Sequence, residues 1–70
     1  MSNEEEEQIT KIKETAIISL DDDVRKSAID ALSAYKEKGI GAITEIVDAS
    51  YNNEVRTFGF TTIKKVKQHT

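Results

Sequence analysis

The chain has 70 residues, is 37% hydrophobic and 33% charged, and carries a formal net charge of −3. A chain this short makes one small domain, residues 1–70, which buries only about 60% of its unfolded surface. With no cysteine, disulfides, thiolate catalysis and zinc–thiolate sites are excluded, and the negative balance disfavours general nucleic-acid binding.

Four glutamates, Glu4 to Glu7, follow Met1-Ser2-Asn3. That is the reverse of a signal peptide's basic start. The longest purely apolar run, Ala16-Ile17-Ile18, is far too short to span a membrane. A cytoplasmic chain is expected. Ser2 or Asn3 is the expected cap of a first helix whose acidic opening suits the positive end of the helix dipole. Ile9, Ile12, Ala16 and Leu20, with Ile17 beside them, then fall at helical spacings. This predicts helix one at about residues 4–19.

Asp21-Asp22-Asp23 interrupts that pattern and supplies the next cap, Asp21 or Asp22. Val24, Ala28, Ala31, Leu32 and Tyr35 form the apolar stripe of helix two, with Ile29 to its side. Lys36 and Lys38 suit a last turn, and Gly39 is the expected stop. Helix two is predicted at about 22–37. Ile40, Ile43, Ile46 and Val47 mark helix three at about 39–50, joined to helix two by the short link Gly39-Ile40-Gly41. Tyr51-Asn52-Asn53 is a turn whose asparagines can cap. Helix four, about 53–68, carries Val55, Phe58, Gly59, Ile63 and Val66 on one face. The expected core is Ile9, Ile12, Ala16, Leu20, Val24, Ala28, Leu32, Tyr35, Ile40, Ile43, Val47, Val55, Ile63 and Val66.

Sliding the chain by 31 residues aligns its halves without a gap. Ile9 falls on Ile40, Ile12 on Ile43, Glu14 on Glu45 and Ser19 on Ser50. Val24-Arg25 falls on Val55-Arg56, Ala28 on Gly59 and Leu32 on Ile63. Helical periodicity alone would not keep turns, caps and a Val-Arg pair in register. The chain therefore reads as an internal repeat of a helix–turn–helix unit.

Asp23-Val24-Arg25 followed by Ala28-Ile29 and Ala31-Leu32 resembles the short HEAT-like helical repeat, of the kind associated with phycobilisome lyases. Glu54-Val55-Arg56 with Gly59-Phe60 and Ile63 is a weaker copy. The resemblance covers roughly residues 8–67. It departs from the family in lacking the proline often found in the first helix and in having few units. It implies an all-α fold, four antiparallel helices in a two-layer α–α superhelix. A plain four-helix bundle is the alternative. It also implies that Arg25 and Arg56 bond structurally to neighbouring turns, with Asp21, Asp22, Asp23, Asp48 and Glu54 as candidate partners beside backbone carbonyls.

No catalytic arrangement is found: the chain has no Gly-rich phosphate loop and no nucleophile–histidine pair. Counted from Asp21, the calcium-loop positions for glycine and glutamate hold Lys26 and Leu32, so that signature fails. His69 is the one histidine and receives no role. No cofactor or metal is expected.

The function implied by the resemblance is a non-catalytic protein–protein interaction or scaffold module, with another protein or a second copy as partner. The family's binding side would fall on exposed positions of helices one and three: Lys11, Glu14, Thr44, Glu45 and Asp48. Phe60 stands off the apolar face of helix four, so it is either an open end available to a partner or part of the core edge. The alternatives are an accessory or regulatory subunit of an enzyme, or a weak nucleic-acid contact through the basic end, Lys64, Lys65, Lys67 and His69.

Overall fold

The second and fourth helices each start at a side chain that bonds back to its own backbone. The computed structural model describes residues 4–68, so the proposed caps Ser2 and Asn3, and His69, lie outside the described residues. Among the described residues there are four helices: α1 (Glu4–Ile18), α2 (Asp22–Ser33), α3 (Glu37–Ala49) and α4 (Asn53–Gln68). Asp21 caps α2, its Oδ1 accepting the Asp23 amide at 2.9 Å. Asn52 caps α4, its Oδ1 accepting the amides of Glu54 at 2.7 Å and Val55 at 3.3 Å. These bonds satisfy first-turn donors that have no partner within the helix. The two caps stand 31 positions apart, as the repeat requires. The start of α3 is the exception, because Lys36 makes no side-chain capping bond there.

The α2–α3 connection corrects the sequence reading. Helix two stops at Ser33 rather than 37, and α3 begins at Glu37 rather than 39. The turn is Ala34-Tyr35-Lys36, closed by amides of Ala34, Tyr35 and Lys36 donating to carbonyls three residues back. Lys36, at φ 57°, ψ −132°, takes the backbone conformation that reverses the chain. Gly39 is thus not a stop. It lies inside α3, pressed on the backbone of α2, where an added Cβ would collide with the Leu32 carbonyl oxygen. Its role is close helix approach.

Long-range polar contacts fix the helix directions. Tyr35, just past α2, donates to Gln8 at 2.6 Å, while Arg25 at the start of α2 reaches Ala16 near the end of α1. Helices α1 and α2 are therefore antiparallel. Lys38–Glu5 at 2.7 Å and Lys13–Glu45 at 3.2 Å make α1 and α3 parallel neighbours. Asn52–Asp22 at 2.7 Å and Lys26–Glu54 at 3.0 Å join the starts of α2 and α4. Every helix pair is in contact except α1 and α4.

The core is Ile9, Ala16, Ala28, Ile29, Leu32, Ala42, Ile43, Ile46, Val47, Val55 and Val66. Ile12, Tyr35 and Ile63 are half-buried against it, and Ile40 is half-buried. Two expected core residues are not buried. Leu20 is 98% exposed because it lies between the last turn of α1 and the Asp21 cap, outside either helix. Val24 is 36% exposed, whereas Val55, its counterpart in the second unit, is 0% exposed. Ile29, expected to lie beside the stripe, is 0% exposed. Helix α2 touches α1, α3 and α4, so its buried arc is wider than a single stripe. Contact with both flanking helices likewise buries Ala42 and Ile46.

The repeat also conserves core volume. Ala16 and Ala28 of the first unit correspond to Val47 and Gly59 of the second. A Cβ on Gly59 would collide with Val47 Cγ2, so the extra methyls of valine stand where glycine leaves space.

Candidate functional site

Arg25 and Arg56 stand in the first turns of α2 and α4. Arg25 Nε donates to the Ala16 carbonyl at 3.1 Å and its Nη2 to Ile17 at 3.3 Å. Its Nη1 donates to the Ala49 carbonyl at 3.4 Å and to Ser50 Oγ at 3.1 Å. One guanidinium thus joins the C-terminal ends of α1 and α3, where helix carbonyls lack intrahelical partners. Ser50 is 1% exposed, and its hydroxyl is satisfied on both sides, donating to Ile46 at 2.7 Å while accepting from Arg25.

Arg56 repeats half of this arrangement. Its Nη1 donates to the carbonyls of Val47 and Ser50, each at 3.1 Å. Val47 is the counterpart of Ala16, which Arg25 holds. The second half, a bond to the end of the next helix in the same series, has no counterpart among the described residues. The carboxylates considered from sequence are not the partners of either arginine. Asp21 and Asn52 are committed to caps, Asp22 accepts from Asn52, and Glu54 pairs with Lys26.

Lys11 and Glu14 lie exposed on α1, in a shallow groove with Glu6, Glu7 and Thr10. Thr44, Glu45 and Asp48 lie exposed on α3. Thr44 Oγ1 donates to the Ile40 carbonyl at 2.9 Å, and Glu45 is tied to α1 through Lys13. The structure therefore brings the positions of α1 and α3 onto neighbouring parallel helices. Phe60 stands apart from them on α4 at 56% exposure, while Ile29, its counterpart, is fully covered.

Exposed carboxylates dominate the α1 and α3 surface: Glu4 to Glu7, Glu14, Glu37, Glu45 and Asp48. Lys64, Lys65 and Lys67 are exposed on α4. The charge of the molecule is thus polarised, acidic on α1 and α3 and basic along the end of α4. The Glu54 hydrogen bond and charge raise the Lys26 ammonium above the ordinary lysine value. Glu5 raises Lys38 in the same way.

A groove of about 350 Å³ between α2 and α4 is lined by Asp30, Ser33, Lys36, Phe58, Thr62 and Lys65. Its lining sets one carboxylate, two hydroxyls and two lysines around the Phe58 ring. Among the described residues no group of three or more His, Cys, Asp or Glu side chains is placed to hold a metal. No helix there is long and apolar enough to cross a membrane. No family model, curated protein or solved structure matches this chain.

The bridging role of Arg25 is only partly legible in the sequence. The repeat sets Arg25 and Arg56 at equivalent positions but does not by itself mark Ser50 as the group that Arg25 reaches. The signal was its register with Ser19 at the matching helix end.

Proposed function

We propose that this chain is a non-catalytic protein–protein interaction module built as a two-layer, HEAT-like helical repeat, with α1 and α3 in one layer and α2 and α4 in the other. The observation that carries this reading is the recurrence of contacts at the repeat interval. Asp21 and Asn52 cap, and Arg25 and Arg56 hold the matching carbonyls of Ala16 and Val47. Parallel α1–α3 contacts, and the lack of contact between α1 and α4, further support a stack over a closed bundle. Such stacks expose broad helix faces and bind extended partners.

The binding face in this reading is the acidic surface of α1 and α3, with Glu14, Thr44, Glu45 and Asp48 in contact with a basic protein segment. Opposite charges there steer the encounter and fix register more than they supply affinity. A photo-crosslinking residue placed at Glu14 or Thr44 is expected to capture one partner, and Glu45→Lys with Asp48→Lys is expected to abolish that capture. The same probe at Thr61 on α4 serves as the control. Equal capture at Thr61, or capture insensitive to the charge reversals, refutes the assignment.

A further inference from the structure

We propose that copies of this chain stack head to tail, the α3/α4 end of one copy receiving the α1/α2 face of the next. The inference rests on the repeat reading and names a second copy as the occupant of the open end. Within the chain, the first unit meets the second through Arg25, Ile29 and the ion pairs between like helices. Moved on by one repeat, the same interface places the next copy's α1 beside α3 and its α2 beside α4.

Arg56 provides the strongest argument. Arg25 donates to four acceptors through three nitrogens, two of those acceptors belonging to the end of α3. Arg56 donates only through Nη1, and its Nε and Nη2 have no partner among the described residues. The acceptors it lacks correspond to Ala49 and Ser50 one repeat further on. In the next copy those positions are Ile18 and Ser19, so the hydroxyl that Arg25 reads in Ser50 is present again in Ser19.

Burial follows the same logic at both ends. Phe60 is 56% exposed where its internal counterpart Ile29 is 0% exposed, and Val24 is 36% exposed where Val55 is 0% exposed. Each end thus uncovers the residue that the internal junction covers. One of the three internal ion pairs keeps opposite charges in the stack, and Lys13–Glu45 becomes Thr44 opposite Glu14 of the next copy. The internal pair Glu5–Lys38 becomes Lys36 opposite Glu7 of the next copy. The internal pair Lys26–Glu54 becomes Thr57 opposite Asp23, which carries no like-charge conflict. A tail-to-tail pairing would instead place Lys36 and Arg56 on both sides of one junction. Like charges placed together across an interface oppose association.

The stacked junction is more polar than the internal one. Gly39, Ala42 and Ile46 of the internal junction are replaced by Gln8, Lys11 and Thr15. Assembly is therefore weak and emerges with concentration. Because the two surfaces differ, it continues past a dimer unless the rotation closes a ring.

Sedimentation velocity on the whole chain over a wide concentration range tests this. The wild type is expected to gain mass continuously beyond a dimer or to close a ring of more than two copies. Phe60→Ser removes the tail surface and Val24→Lys the head surface. Each alone is expected to remain monomeric, and an equal mixture is expected to form a one-to-one dimer through the surviving pair of surfaces. Arg56→Gln, which leaves the apolar contacts in place, is expected to weaken association about tenfold or more, in keeping with the value of a charge-assisted hydrogen bond. A wild type that stays monomeric throughout overturns the proposal, as does a dimer weakened by Phe60→Ser but untouched by Val24→Lys. The repeat reading is tested separately by Arg25→Gln, which should lower the melting temperature of the monomer. A monomeric wild type with a destabilised Arg25→Gln variant removes only the stacking, whereas an unaffected Arg25→Gln variant removes the repeat reading itself.

Discussion

Val47 and Gly59 make a double-mutant cycle whose outcome depends on whether the two units are built alike. Val47 is fully buried. Truncation to alanine deletes two methyl groups, about 1.6 kcal/mol of transfer free energy at about 0.8 each, and leaves a void that brings the total to about 2–3 kcal/mol. Gly59→Ala inserts a Cβ against Val47 Cγ2 and within 3.5 Å of Ile29 Cδ1. Overpacking of that kind costs about 1–3 kcal/mol, offset by about 1 kcal/mol from the better helix propensity of alanine. The double variant recreates the Ala16/Ala28 pair of the first unit, with the new methyl in the space the valine vacated. It should be destabilised by about 1 kcal/mol or less, so the two changes couple favourably by about 2 kcal/mol. Urea denaturation of the four proteins measures this directly. Additivity within about 0.5 kcal/mol would refute the claim that these residues share one volume.

Gly39→Ala should destabilise by about 2 kcal/mol or more, because the obstructing Leu32 carbonyl is backbone and cannot turn aside. Gly41→Ala, which meets nothing within 4 Å, should stabilise by about 0.5–1 kcal/mol through helix propensity; equal effects at the two sites, read by thermal melts, would refute the contact. Lys36→Gly should raise stability by about 0.5–1 kcal/mol, the relief of a backbone held at φ 57° exceeding the entropy glycine adds to the unfolded chain. A lower melting temperature would show that Lys36 is not strained. The Lys26 and Lys38 ammonium groups, raised by Glu54 and Glu5, contribute stability that is complete below the ordinary lysine value and is lost as pH climbs through the raised folded value. NMR titration should show each falling back toward the ordinary value in Glu54→Gln and Glu5→Gln respectively, and no change would remove the pairing.

The sequence carried the number and order of helices because each was announced by a feature local to it. Asp21 and Asn52 cap through their own side chains, and the Val-Arg register survives any slip of helical phase. What depended on neighbours was less visible. Gly39 reads as the stop beyond α2 because glycine is the usual chain-reverser, whereas Lys36 takes the positive φ and Gly39 serves close packing. Leu20 fits the stripe of α1 by spacing, but the helix ends two residues before it. The burial of Ile29 follows from three helices converging on α2, a property of the assembly and not of one helical wheel. The exposed positions named on α1 and α3 were legible as surface. Their adjacency came from the parallel pairing of those helices, which ion pairs between distant residues reveal.

Arg25 and Arg56 act as an internal comparison for the architecture. Both stand in the first turn after a capped start and hold the equivalent carbonyl of the preceding helix. They differ in that Arg25 also ties the end of α3, including a hydroxyl of 1% exposed Ser50. Removing Arg25 leaves carbonyls at two helix ends and a buried hydroxyl short of a donor, and each such loss costs about 1–3 kcal/mol where water cannot replace it. Removing Arg56 in dilute solution leaves carbonyls at only one helix end. The excess cost of Arg25→Gln over Arg56→Gln therefore measures what a neighbouring unit adds to one residue. If Arg56 gains a neighbour by stacking, that excess should shrink as protein concentration rises, because the same guanidinium then holds two helix ends. An excess that is constant with concentration would confine the difference to the fold of the single chain.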